Sequence, residues 1–101
     1  MSSDLWTWGG TYFGRREGED LWTHSGHHVG RFHGDEVFGS DGRYLGEIKS
    51  GKLITQLSSQ TRRGHSFAPY ASRVGHVPYV GHIGTVMYSG YEDFPDPETF
   101  K

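Results

Sequence analysis

The chain contains no cysteine, which excludes a disulfide framework and any thiolate chemistry. No apolar run approaches the length of a membrane-crossing helix. Met1-Ser2-Ser3-Asp4 lacks the charged and apolar segments of a signal peptide. A cytoplasmic address without membrane association is therefore the expectation. Helical patterning is missing too, because apolar residues nowhere recur at a 3.6-residue spacing. Apolar residues form only 33% of the 101 residues, low for a globular chain, but aromatics supply 15% and each buries a large area. Sixteen glycines without a Gly-X-Y period exclude collagen and point to turns and crowded strands.

Recognisable catalytic patterns are equally scarce. Ser58, Ser59, Ser66 and Ser72 lie in a polar stretch, not on a Gly-x-Ser-x-Gly elbow. Thr7, Thr23 and Thr55 occupy repeated strand positions, which reads as β propensity. Glu17, Glu19, Asp20, Asp35 and Glu36 fall in turns, where acidic residues are ordinary. The expectation is a protein that is not an enzyme and needs no cofactor.

What the chain does have is a sixteen-residue repeat. Leu5-Trp6-Thr7-Trp8-Gly9-Gly10-Thr11-Tyr12-Phe13-Gly14 aligns with Leu21-Trp22-Thr23-His24-Ser25-Gly26-His27-His28-Val29-Gly30. Val37-Phe38-Gly39-Ser40-Asp41-Gly42-Arg43-Tyr44-Leu45-Gly46 is the third copy, and Leu53-Ile54-Thr55-Gln56 opens a fourth. Each copy reads as a β-hairpin: a strand, a two-residue glycine turn (Gly9-Gly10, Ser25-Gly26, Asp41-Gly42), then a second strand. The predicted fold is all-β, a pseudo-four-fold arrangement of short hairpins in one domain over 1–101. Its repeats run over 5–20, 21–36, 37–52 and 53–77, and the last carries a loop insertion over 57–72. Arg73-Val74-Gly75-His76-Val77 supplies the second strand of the fourth unit. Closing strands follow over 78–95, with an irregular tail over 96–101.

The predicted layers are Leu5, Leu21, Val37 and Leu53; Trp6, Trp22, Phe38 and Ile54; and Phe13, Val29, Leu45 and Val74. Glycine weakens a strand, so Gly14, Gly30, Gly46 and Gly75 at equivalent strand positions imply close approach of a neighbouring backbone or ring.

These hairpin units, the segment from Val74 to Gly84 and the stretch from Met87 to Phe94 resemble the four-fold beta-flower proteins, a small bacterial family. The resemblance covers the chain from Asp4 to about Pro95. It implies a radial arrangement of hairpins and brings no established activity or catalytic residues.

Net charge is −2, which gives no global reason to expect nucleic acid, but the charge is unevenly placed. Residues 57–77 carry Arg62, Arg63 and Arg73 and no acid, whereas residues 78–101 carry four acids and one lysine. In the basic stretch, Arg62, Arg63, Phe67 and Tyr70 form a candidate partner-binding loop, since arginines beside aromatics contact phosphate and stack on bases; the alternative reading is a solvated loop partly ordered by Phe67 and Tyr70 packing across the hairpins. Two adjacent arginines on an acidic chain are a weak nucleic-acid footprint, so the expected partner is a protein or a second copy.

His24, His27 and His28 cluster at one hairpin turn, with His33 in the same unit, and are the only metal-ligand candidates. The sister units carry Trp8 and Ser40, Thr11 and Arg43, and Tyr12 and Tyr44 at the positions of those three. That argues for tolerated substitution on a hairpin surface, or stacking in an aromatic layer, and no metal. His76 and His82 read as polar strand faces. The leading functional expectation is an interaction module that forms homo-oligomers. The alternative is a small-ligand receptor with Tyr12, His28 and Tyr44 around an axial pocket, since aromatic cages suit cationic or planar ligands.

Overall fold

The computed structural model describes residues 2–75, 77–81, 84 and 86–100. Its strands are β1 (Ser2–Thr7), β2 (Tyr12–Glu17), β3 (Asp20–Thr23), β4 (His28–His33), β5 (Glu36–Phe38), β6 (Tyr44–Lys49), β7 (Lys52–Gln56) and β8 (Tyr91–Asp93). Each pairs with the next, antiparallel, from β1 through β8. β1 also pairs with β7, so seven strands close into a barrel. That closure is parallel, Trp6 opposite Lys52 and Thr7 opposite Leu53, because the first and seventh strands of an up-and-down meander run the same way. β1 covers the first half of β7's open edge and β8 covers Ile54 to Gln56, which leaves little free edge for other chains. No described helix is long and apolar enough to cross a membrane.

The first three hairpins share one register. Leu5 faces Gly14 and Trp6 faces Tyr12; Leu21 faces Gly30 and Trp22 faces His28; Val37 faces Gly46 and Phe38 faces Tyr44. Between each pair of contacts the second strand has one extra residue, Phe13, Val29 or Leu45. A bulge of this kind re-aims a side chain and increases local twist. Phe13 thereby joins the buried core of Leu5, Leu21, Phe32, Val37, Leu53 and Phe94, with Val29 and Leu45 packed against it. Burying side chains of this size contributes about 1.5–3 kcal/mol each.

The connecting turns differ from those expected. Thr7 donates its N–H to Thr11 O at 2.8 Å and accepts at its own carbonyl from Gly10 N at 2.9 Å. The same pair of bonds recurs at Thr23/His27/Gly26 and Gly39/Arg43/Gly42. Each loop therefore has three residues, and only its last glycine is left-handed, with φ of 97°, 93° and 84° at Gly10, Gly26 and Gly42. This is a type I turn followed by a left-handed residue. Thr7 and Thr23 have a second task besides strand formation, since their hydroxyls accept the N–H of Thr11 and His27 at 3.2 and 3.1 Å.

Mid-strand glycines sit where space is short. A Cβ at Gly30 would lie 2.7 Å from Val37 Cγ2 and 3.2 Å from Phe38 O; at Gly46 it would lie 2.6 Å from Ile54 O and 2.5 Å from Phe94 Cδ1. At Gly14 it would run into Trp22 O. All three approach the carbonyl at the same repeat position, Trp22, Phe38 or Ile54, on the next strand.

The fourth unit departs from expectation. Residues 73–75 and 77 form no strand, and Val74 is 96% exposed instead of joining a core layer. β7 takes β8 as its partner, and Arg73 is held elsewhere, its N–H bonded to Gly26 O at 2.7 Å. The tail is also ordered differently. Pro97–Phe100 forms a 3₁₀ turn with Pro97 buried. The Phe94 and Phe100 rings contact Phe13 edge-on, with centroids 5.2 and 5.8 Å away.

Candidate functional site

The described residues between Leu57 and Gly90 form a strap around the outside of the barrel. It opens with a 3₁₀ turn, Leu57–Ser59, and its other described residues up to Tyr88 form no named strand or helix. It meets the hairpins in reverse order, and the backbone leads. Gly64 N donates to Gly42 O of the third hairpin at 2.7 Å. Arg73 N reaches Gly26 O of the second, and a Cβ on Gly81 would lie 2.7 Å from Gly10 O of the first. The strap thus touches the carbonyls of Gly42, Gly26 and Gly10 in turn.

Side chains follow the same order. Gly64 lies against the Phe38 ring. Tyr70 stacks on His28 at 4.8 Å and on Trp22 at 6.3 Å, Phe67 lies 5.0 Å from His28, and the Arg73 guanidinium lies 3.7 Å over Trp22. Tyr79 packs on Tyr12 at 4.8 Å and on Trp6 at 6.4 Å, where Trp6 Nε1 donates to Val80 O. Trp8 Nε1 donates to Val86 O and its ring meets Tyr88. The candidate residues Phe67 and Tyr70 are thus spent on the barrel wall. Arg62 binds Glu36 at 2.7 Å, and Arg63 donates to the carbonyls of Gln60 and Arg62.

Tyr12, His28 and Tyr44 do not ring an axial pocket. The core side chains fill the interior, as expected for a small barrel. Tyr12 and His28 line different surface depressions, and Tyr44 lines neither. The three are buried on the outer wall, each with its polar end on a carboxylate: Tyr12 Oη donates to Asp4 and Tyr44 Oη to Glu47, both at 2.8 Å. His28 Nδ1 accepts the Tyr70 N–H at 3.0 Å, so the ring proton sits on Nε2, 3.0 Å from Asp20 Oδ1 but poorly aligned for a hydrogen bond.

These surroundings shift the titrations. Burial pushes the Tyr12 phenol up to about 12, helped by Asp4. Tyr44 moves further in the same direction, again through burial, opposed by the Gln56 N–H and helped by Glu47. Burial lowers His28 below the usual imidazole value, against the pull of the Asp20 carboxylate and with a further push from Arg31.

The histidine cluster is dispersed. His24 faces Glu98 at 3.8 Å, His27 meets Ser72 Oγ at 3.2 Å, and His28 faces Asp20. Among the described residues no three potential ligands converge on a metal position. His76 and His82 lie outside the described residues. Compared with known proteins, the chain matches no family model, no curated protein and no solved structure.

The strap was the feature hidden in the sequence, although a signal existed. Gly64-His65 precedes Pro69-Tyr70, and Gly75-His76 precedes Pro78-Tyr79. This second, looser repeat delivers one tyrosine to the second hairpin and one to the first.

Proposed function

We propose that the protein is a non-enzymatic interaction module whose contact surface is the outer face of the strap and whose partner is a second copy of the chain. One observation carries this reading. Among the described residues, eight of the nine exposed large hydrophobic side chains lie between Tyr70 and Tyr88, with Val74, Val80 and Val86 at 96%, 87% and 86% exposure. From Val74 to Tyr91 the chain has no acidic side chain, lysine or arginine. Exposed apolar side chains concentrated in one segment of a small protein favour an interaction surface there, and an uncharged surface is complementary to its own copy across a two-fold axis.

The barrel is the rigid support for that face. We also propose that the chain is built on a pseudo-four-fold plan related to the beta-flower proteins, with β7 and β8 as the fourth hairpin. The recurring Leu/Val-to-Gly register and its bulge support the plan in the first three units.

Sedimentation across a concentration series tests the interaction. The expected result is a reversible dimer that is lost when Val74, Val80 and Val86 are all changed to Ser, with the melting temperature nearly unchanged because the three are exposed. A wild-type chain that stays monomeric throughout, or a triple variant that associates equally well, would sink the proposal.

A further inference from the structure

A cleft of about 330 Å³ lies between the start of the strap and strands β4 and β5. β4 contributes Arg31 and His33, and the strap contributes Arg62, Arg63 and His65. Phe38 forms part of its apolar wall, and Glu36 is the one carboxylate lining it. Five basic side chains thus face a single acid.

Their present partners matter. Arg62 Nη1 binds Glu36 Oε2 at 2.7 Å, and Arg31 Nε binds Asp20 at 3.3 Å while its guanidinium lies 4.6 Å over the Phe67 ring. Arg63 directs Nη1 to two carbonyls of its own loop at 3.2 and 3.0 Å. Among the described residues no carboxylate pairs with Arg63, His33 or His65. An arginine fork offers five donors in fixed geometry, so Arg63 keeps donors for another acceptor. Planar forks match the oxygens of phosphate, and charge-assisted bonds are the stronger kind.

We propose that this cleft binds a phosphate group carried on a small molecule, clamped by Arg63 and Arg62. Glu36 is the placeholder that holds Arg62 until the phosphate displaces it. The volume sits near the lower end of small-molecule sites, roughly 300–1,000 Å³, which suits a phosphate with a small organic body and not a polymer. The site is separate from the valine face, so it stands or falls independently of self-association.

Calorimetric titration of the full chain with inorganic phosphate and with a nucleoside monophosphate tests it, in low-chloride buffer and with amide NMR shifts recorded in parallel. The expected result is saturable binding with shifts centred on Gly64 and His65. Tighter binding of the nucleotide shows that the organic body is held, and equal binding assigns the site to the phosphate alone. Arg63→Gln should weaken binding by about tenfold or more, the effect of losing one charge-assisted bond. Glu36→Gln should tighten it by freeing Arg62. Asp35→Asn makes the same charge change one residue away, outside the cleft, and should leave it unaltered. No saturable response in the wild type, an Arg63→Gln chain that binds as well as wild type, or equal effects of Glu36→Gln and Asp35→Asn would overturn the proposal.

Discussion

The backbone N–H of Tyr70 donates to Nδ1 of His28 at 3.0 Å, tying the strap to the second hairpin through the one nitrogen of that ring that must stay unprotonated. A proton placed on Nδ1 would turn an acceptor into a donor facing a donor. The groups around the ring are Asp20 and Trp22 on β3, Arg31 on β4, and Phe67 and Tyr70 on the strap.

Acid should therefore loosen the strap. The folded-state pKa of His28 lies below its unfolded value of 6.5, so the unfolded chain takes up the proton first. Stability is fully present above about pH 6.5 and is lost as pH falls from there through the folded pKa. The protection of the Tyr70 amide against hydrogen exchange, referred to an unstructured peptide at the same pH, should fall over that window. His28→Tyr, which copies the sister hairpins, should abolish this part of the acid sensitivity; an unchanged acid profile in that variant would refute the assignment.

Alkali should act through the buried phenols. Tyr12 titrates near 12 in the folded chain against 10.0 for an ordinary tyrosine. A raised acid contributes stability that is complete below pH 10 and is lost as pH rises toward 12. Tyr44 shifts in the same direction. Ultraviolet titration of phenolate should show two of the six tyrosines ionising late, together with unfolding. Tyr12→Phe should remove one of the late pair.

Gly46→Val should destabilise far more than His27→Ala. A Cβ at Gly46 meets both the Ile54 carbonyl and the Phe94 ring, and overpacking of this kind costs about 1–3 kcal/mol or more. His27 is only partly buried, and its ring bond is one exposed contact to Ser72, so its loss should cost about 0.5 kcal/mol. Equal shifts in urea midpoint for the two variants would refute the close-approach account of the glycines.

Phe94→Ala should cost about 3–5 kcal/mol, the usual penalty for emptying a buried phenylalanine site. Its ring is 3% exposed and packs on Phe13 and against Gly46. Combined with Gly46→Ala the losses should be less than additive, because one of the two obstacles to the new methyl is gone. Strict additivity in denaturant melts would show that the two positions are not coupled.

The all-β class was legible because alternation and glycine turns recur at a constant spacing, and the buried row Leu5, Leu21, Val37 and Leu53 follows from that spacing alone. The candidate loop was legible only as composition. Arg62 and Arg63 stand out as charge without counter-charge, but the cleft they share with Arg31 and His33 joins residues from two separate parts of the chain. Phe67 and Tyr70 read equally as partner contacts or as aromatics packed across the hairpins, and they lie on His28 and Trp22. A solvent-facing aromatic and one pressed on its own barrel look alike in one dimension.

The sequence by itself determined the period, the hairpin strands and the row of inward side chains, since these depend on contacts between residues close along the chain. Only the tertiary structure decided that the seven-stranded barrel closes through a parallel β1–β7 pairing, that β7 pairs with β8, and that Tyr12, His28 and Tyr44 face outward. Those choices rest on which segment, of several with suitable strand character, satisfies one exposed edge and one aromatic wall at once. The Gly26 carbonyl that captures Arg73 is distant in sequence, and hydrogen bonds over such separations leave no periodic mark in the residues that make them.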